Sequence, residues 1–255
     1  MFVEERHQII LEILEQDGKV LVNALSEKFE VTPDLIRKDL AVLEREGLLK
    51  RVYGGAIPLK GKSRQLNSIS RKGKPTAVKI RIAEKAESLI GNGEMIFLDI
   101  SSINLELANL LVRKNRNVTV VTNMIEIMKV LSIDSRVKLI FIGGKLNREK
   151  SGFTGAVTIE WLSKYQFDQA FIGAVGIDLM RESVTTYEID DALTKTSAIK
   201  VSRKSYLVAE SAKFSQQGNC RSAALSDFQG IITDSSIQAE SIEKLKSLGL
   251  EVFTV

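Results

Sequence analysis

The chain has 255 residues, 44% of them hydrophobic and 27% charged, with a formal net charge of +4. A single cysteine, Cys220, excludes an intramolecular disulfide and a thiolate zinc site, and a single histidine, His7, excludes histidine-rich metal centres and Ser-His-Asp chemistry outside the first helix. No apolar run approaches the roughly 20 residues that span a bilayer, and the start MFVEERHQII lacks the basic and apolar regions of a signal peptide, so a cytoplasmic protein without a membrane partner is expected.

Residues 4–16 set Ile9, Ile10, Ile13 and Leu14 at helical spacing, with Glu4, Glu5, Glu12 and Glu15 on the other face, and Asp17-Gly18 ends that helix. Lys19 to Val22 has room only for a short strand. Asn23 is then an expected N-cap for a second helix, supported by Glu27, that buries Leu25 and Phe29. After the tight connection Glu30-Val31, Thr32 caps a third helix with Pro33 at its first position, where the missing N–H costs nothing. This helix is expected to run to about Glu46, with Leu35, Ile36, Leu40 and Leu43 available for packing, and to stop at Gly47. Leu48 to Tyr53 followed by Gly54-Gly55-Ala56 reads as a small β-wing.

Two helices joined by a few residues behind a leading helix form a helix-turn-helix. Charge supports a polyanion partner: residues 1–30 hold three Lys/Arg against seven Asp/Glu, residues 31–75 eleven against four, and residues 76–255 twenty-two against twenty-one. In such a fold the third helix enters the major groove, where Arg37 can pair bidentately with guanine while Lys38, Lys50 and Arg51 suit phosphates. The candidate DNA-binding residues are Thr32, Pro33, Asp34, Leu35, Arg37, Lys38, Lys50, Arg51, Tyr53, Gly54 and Gly55. A three-helix scaffold that binds protein rather than DNA fits the same spacing.

The run VTPDLIRKDLAVLEREGLLKRVYGGA resembles the DNA-binding signature of the DeoR family. The matching positions are Val31, Ile36, Arg37, Asp39, Leu40, Leu43, Glu44, Gly47, Arg51, Gly54, Gly55 and Ala56. Three positions depart from it: Lys38 replaces an arginine, Leu35 a threonine and Tyr53 a histidine. Residues 58–75 follow, with Pro58, Gly61, Gly73 and Pro75 among Lys60, Lys62, Arg64, Arg71, Lys72 and Lys74, and read as a basic linker or hinge.

From residue 76 strand and helix patterns alternate. Helices are expected at Val78 to Leu89, Ile103 to Val112, Met124 to Leu131, Val157 to Leu162, Asp191 to Lys200 and Ile237 to Leu248. Strands are expected at Met95 to Asp99, Val118 to Val121, Leu139 to Ile142, Gln169 to Gly173, Ser205 to Ala209, Gly230 to Thr233 and Val252-Phe253. Short buried strands between helices predict an α/β domain with a mainly parallel sheet, whose ligand site lies beyond the carboxyl ends of the strands. Asp99-Ile100-Ser101-Ser102, Thr122-Asn123, Gly143-Gly144-Lys145 and Gly173 to Gly176 sit at four such ends and suit a phosphate.

This region resembles the DeoR-type sensor domain, which is similar in fold to ribose-5-phosphate isomerase and CoA-transferase proteins. The resemblance rests on Asp99, Thr122, Asn123, Gly143, Gly144, Gly173, Gly176, Lys195, Lys213 and Phe214, while Ser101, Ser102 and Ile103 stand where the family has Gly, Thr and Thr. The candidate effector-binding residues are Asp99, Ser101, Ser102, Thr122, Asn123, Gly143, Gly144, Lys145, Gly173, Gly176, Lys195 and Lys213. The expected organisation is a winged helix-turn-helix domain at residues 1–57, the linker at 58–75 and an effector-sensing α/β domain at 76–255. The resemblance implies a non-enzymatic repressor of a carbohydrate operon that binds double-stranded operator DNA. It also implies a phosphorylated sugar as effector, no cofactor, and a homodimer or homotetramer. A sugar-phosphate isomerase or transferase with an accessory N-terminal domain is the alternative, with Asp99, Glu188, Asp190 and Lys213 as candidate bases.

Overall fold

The computed structural model describes residues 3–57, 76–133, 135–148 and 150–255, without the side chains at positions 4, 12 and 15–17. The expected linker at 58–75 and the Glu4, Glu12 and Glu15 face of the first helix lie outside the described residues. The chain divides into two compact units, Met1–Lys74 and Pro75–Val255.

In the first unit α1 (Val3–Asp17), α2 (Val22–Phe29) and α3 (Pro33–Arg45) surround a core of Ile10, Leu14, Leu25, Ile36, Leu40 and Leu43. Strands β1 (Val20–Leu21), β2 (Lys50–Val52) and β3 (Gly55–Ile57) form an antiparallel sheet in the order β1-β3-β2. The apolar residues of α3 recur at helical spacing and turn inward, which leaves the intervening charges outside. Asn23 is not the N-cap of α2. The N-cap lies two residues earlier, at Leu21, and the first helical residue is Val22, whose side chain is buried and whose N–H donates to Gly54 O at 2.9 Å. A tertiary backbone bond to the wing replaces the side-chain cap, so docking overrides the local signal.

The second unit is built on seven parallel strands in the order β15-β14-β12-β9-β4-β5-β6. They are β4 (Met95–Leu98), β5 (Thr119–Thr122), β6 (Lys138–Phe141), β9 (Phe167–Gly173), β12 (Ser202–Val208), β14 (Gly230–Thr233) and β15 (Glu251–Thr254). Helices α4 (Ala77–Ser88), α5 (Ser102–Arg113) and α6 (Ile125–Leu131) pack with Ile96, Leu98, Val120 and Phe171 on one face. Helices α7 (Ala156–Leu162), α8 (Ile189–Lys200) and α9 (Ala239–Ser247) pack with Phe97, Val121, Ala170 and Ile172 on the other. Successive residues of a strand point to opposite faces, so continuous apolar runs such as Ile96-Phe97-Leu98 feed both cores.

Five further strands are antiparallel and were not expected. β7 (Lys145–Asn147) pairs with β8 (Gly152–Thr154), and β10 (Gly176–Asp178), β11 (Ser183–Thr186) and β13 (Cys220–Ala224) form a three-stranded sheet. They are three to five residues long and rich in Gly, Ser and Thr, so they carry no apolar run to reveal them. From β4 the sheet grows one way through β5 and β6 and the other way through β9, β12, β14 and β15. The strand order therefore reverses between β4 and β9, and the carboxyl ends of these two strands are where open α/β sheets place a ligand.

Candidate DNA-binding surface and effector site

Thr32 caps α3, its hydroxyl accepting from Leu35 N–H at 3.4 Å, and Pro33 occupies the first turn. Thr32, Pro33, Asp34, Arg37 and Lys38 are exposed, Leu35 is half-buried, and Ile36, Asp39 and Leu40 turn inward. Asp39 anchors the helix to α1 through a buried pair with Arg6, Nε to Oδ2 at 2.6 Å and Nη2 to Oδ1 at 3.1 Å. His7 Nε2 also reaches Asp39 Oδ1, at 3.1 Å. The hydrogen bond from Arg6 to Asp39 raises the Arg6 pKa, so this cation stays charged despite its burial.

Arg37 forms an exposed ion pair with Asp34 one turn before it. On the wing, Arg51 donates its backbone N–H to Glu44 Oε1 at 2.8 Å and its Nε to Glu44 Oε2 at 2.7 Å. The Arg51 hydrogen bonds hold the Glu44 carboxyl below the usual carboxylate range and tie β2 to the end of α3. Lys50, Arg51, Tyr53 and Gly54 are exposed, whereas Gly55 is buried, because any Cβ there would clash with Val20 O. Gly54 and Gly55 thus shape the wing, and Tyr53 stands free at its tip. Glu44 and Arg51 are both signature positions, but nothing in their spacing told that the two side chains pair.

In the second unit five of the candidate effector residues, Asp99, Ser101, Ser102, Gly173 and Lys195, meet at the reversal point. Asp99 follows β4 and is buried. It accepts from Gly173 N–H at 3.1 Å and Asn104 Nδ2 at 2.7 Å, and it is ion-paired with buried Lys195 of α8. Burial pushes the Asp99 carboxyl up, and the Lys195 cation only partly offsets that. Ser101 caps α5, accepting from Asn104 N–H at 3.1 Å, and its Cβ lies 2.6 Å from where a Cβ on Gly173 would sit. A glycine at the end of β9 therefore lets the two carboxyl-terminal strand ends approach. Ser102 opens the first turn of α5, which starts directly after β4, so the free N–H groups of that turn lie at the carboxyl end of the strand.

Lys195 belongs to a longer buried chain of charge. Asp191, one turn before it, accepts from Lys150 at 2.6 Å and from the Thr186 hydroxyl. Burial opposes ionisation of Asp191, but Lys195 and Lys150 outweigh it and hold its carboxyl at about 2. Lys150 also donates to Thr186 Oγ1 at 2.9 Å. Asn104, Lys150, Thr186 and Asp191 were not singled out from the sequence. Polar residues on an amphipathic helix or in a short polar strand look solvent-facing until the tertiary fold buries them.

The other candidates make contacts of their own. Thr122 and Asn123 are buried, Thr122 donating to Leu98 O and Asn123 Nδ2 to Phe153 O, both at 2.7 Å. Among the described residues, Asn104 Oδ1 and Asn123 Oδ1 are buried without a hydrogen-bond partner. Gly143 O accepts from the Thr158 hydroxyl at 2.9 Å, Gly144 packs against the same residue, and exposed Lys145 pairs with Asp190 at 2.9 Å. Gly176 packs against Gln216, the residue whose amide oxygen accepts from Lys213 at 2.9 Å. No group of acidic, His and Cys residues suited to a metal ion occurs among the described residues, and no helix there is long and apolar enough to cross a membrane.

Residues 6–61 match the family model described as the DeoR-like helix-turn-helix domain, and residues 74–235 the one described as the DeoR C terminal sensor domain. The chain is 34% identical over 98% of its length, and 93% of the relative's, to a protein of Escherichia coli O157:H7 named as a candidate aga operon transcriptional repressor. It is 31% identical to the glycerol-3-phosphate regulon repressor of Escherichia coli K12, with 90% of each chain covered. Among solved structures it is similar to ribose 5-phosphate isomerase A of Methanocaldococcus jannaschii, at 15% identity and a TM-score of 0.39, with 53% of each chain covered. With both domain signatures on one chain and relatives matched along nearly its whole length, this chain belongs to the DeoR family of helix-turn-helix transcription regulators.

Proposed function

We propose that this chain is a cytoplasmic repressor of a carbohydrate-metabolism operon that binds double-stranded DNA through α3 and the wing. A phosphorylated sugar, bound at the reversal point of the sheet, controls it. The working division is a DNA-binding domain at 1–57, a basic connector at 58–75 and a sensor at 76–255. The observation that carries the reading is the disposition of α3: Arg37 and Lys38 face solvent beside Asp34 and Pro33, while Asp39 and Ile36 hold the helix from behind. That leaves the cationic face free to enter a major groove, with Lys50 and Tyr53 on the wing available to flanking phosphates.

The names of the relatives support a sugar-related operon, and the strand-end residues support a phosphate. Ser101, Ser102 and the first turn of α5 supply hydroxyl and N–H donors, and Lys195 is the nearby cation. Asp99 serves here as a fixed counter-ion, held by Lys195, Asn104 and Gly173, which suits a binding site better than a mobile catalytic base. Operator recognition is expected from a homodimer or homotetramer, because paired recognition helices read half-sites one helical turn apart.

Mobility shift with a duplex from upstream of the chain's own operon, at stated salt, tests the reading. Wild type should retard the duplex, and Arg37→Ala should weaken binding by about 1–3 kcal/mol through loss of a base contact. Absence of retardation at micromolar protein, or an Arg37→Ala variant that binds like wild type, would overturn it. A rise in melting temperature with particular phosphorylated sugars would identify the effector.

A further inference from the structure

Among the described residues of the C-terminal unit, an apolar patch stays exposed on its surface. Val157 and Trp161, four residues apart on α7, are 58% and 56% exposed, and Ile189 and Leu193, four apart on α8, are 59% and 49% exposed. Residues at i and i+4 share a helix face, so each helix presents a one-turn apolar stripe. The two helices pack against each other, and their starts converge: a Cβ on Gly155 would lie 3.6 Å from Lys145 Cβ and 3.9 Å from Asp190 Oδ2. The stripes therefore lie side by side at the edge of the Lys145–Asp190 ion pair.

We propose that this α7–α8 face is the surface through which two copies of the chain pair. The proposal rests on the regulator reading, which calls for paired copies, and adds where they meet. Area favours a second copy. Four half-exposed large apolar side chains offer on the order of 400 Å². A two-fold interface uses the same patch twice, so about 800 Å² of apolar surface leaves water, close to the roughly 65% apolar share of an interface of about 1,200 Å². Charge favours it too. Two pairs of neighbouring charges are already matched within one copy, Lys145 with Asp190 at 2.9 Å and Lys164 with Glu160 at 3.9 Å, and Glu188 accepts from Asn147 Nδ2 at 2.9 Å. A self-complementary surface needs that, because a copy meeting itself would otherwise set like charges together.

The same helix links this face to the candidate effector site. α8 points Ile189 and Leu193 outward, while Asp191 and Lys195 lie inside, Lys195 in contact with Asp99 at the reversal point. An anion that draws Lys195 away from Asp99 acts on the element that carries the pairing surface. Effector binding and the geometry of the pair are then coupled whenever the two arrangements bind the effector unequally.

Trp161 is the only tryptophan in the chain, so its fluorescence reports this patch alone. The full-length chain is diluted from micromolar to nanomolar while sedimentation records its mass and emission and acrylamide quenching record Trp161. The expected result is a red shift and increased quenching of Trp161 in step with dissociation of the pair. Leu193→Glu, and independently Val157→Glu, should raise the dissociation constant about 30-fold or more, with melting temperature measured to show that each variant folds. Three results overturn the proposal: a pair whose dissociation leaves Trp161 emission unchanged, a chain that is monomeric throughout, or a monomer whose Trp161 is already blue-shifted and shielded by its own chain. Mobility shift on the same samples separates the two readings. DNA retardation with a silent Trp161 sinks only the pairing face, and a Trp161 transition without retardation sinks only the regulator.

Discussion

Arg37, Lys38, Lys50 and Arg51 stand exposed on the N-terminal unit, whereas the C-terminal unit draws Lys150 and Lys195 largely inside, against Asp99 and Asp191. Exposed cations keep their hydration and counterions. They attract a polyanion over a Debye length, and their contribution to DNA binding falls steeply with salt. Buried cations have lost their water, are fixed by carboxylates and act only on what touches them, with little sensitivity to salt. One residue type thus does long-range work in one unit and short-range work in the other. Burial, which composition does not reveal, decides which.

The sharpest way to break this contrast is to remove the central buried cation. Lys195→Met leaves Asp99 and Asp191 facing each other's field without their shared partner, since Lys195 pairs with Asp99 and also stabilises the Asp191 carboxylate. Deleting one member of a buried pair costs about 3–5 kcal/mol. Chemical denaturation should show the C-terminal unit unfolding at markedly lower denaturant, while the isotherm for DNA held by the N-terminal unit shifts far less. A loss under about 1 kcal/mol would mean that water reaches these charges and that the contrast with the exposed cations is false.

Legibility in the sequence follows the same division. The capped third helix was readable because Thr32-Pro33 is a local signal and Ile36, Leu40 and Leu43 keep helical spacing, as α3 bears out. The parallel strands were readable because they are short apolar runs buried on both faces. Features settled by tertiary contact were not readable. Val22 displaced Asn23 at the start of α2 through a bond to the wing. Asn104 and Asp191 lie buried on helices whose polar residues give no hint of facing inward. At the candidate site the sequence therefore offered the strand-end residues Asp99, Ser101 and Gly173, but not the partners that hold them.

Acid should separate the two units next. The Asp191 carboxyl is held at about 2 against an ordinary 3.8. A depressed folded-state pKa stabilises the fold fully above the unfolded value and loses that contribution as pH falls from near 4 through 2. The loss is on the order of 2 kcal/mol by linkage. Urea titrations of wild type between pH 5 and 2 should show it in the C-terminal unit, and Asp191→Asn should lack that part of the slope even if less stable overall. Equal slopes for the two proteins would show that Asp191 is not ionised preferentially in the fold.

The smallest expected effect lies on α3, the helix proposed to face DNA, where an acidic residue sits among the candidate contacts. Asp34 is ion-paired with Arg37 on the surface of α3. An exposed pair of this kind is worth at most about 1 kcal/mol, too little to matter for folding. On the proposed mode of DNA binding, its position predicts another use. Holding the guanidinium at one azimuth favours the bidentate guanine geometry over a loose phosphate contact, and the carboxylate repels a backbone that approaches in the wrong register. Asp34→Asn removes both effects while keeping the helix turn. Anisotropy titrations should then show tighter binding to a scrambled duplex and a specific-to-nonspecific ratio that falls by roughly threefold, within the energy of one exposed pair. The salt slope should steepen slightly, because Arg37 becomes available to phosphate. An unchanged ratio would make Asp34 an incidental surface carboxylate and leave sequence reading to Arg37 without help from its neighbour.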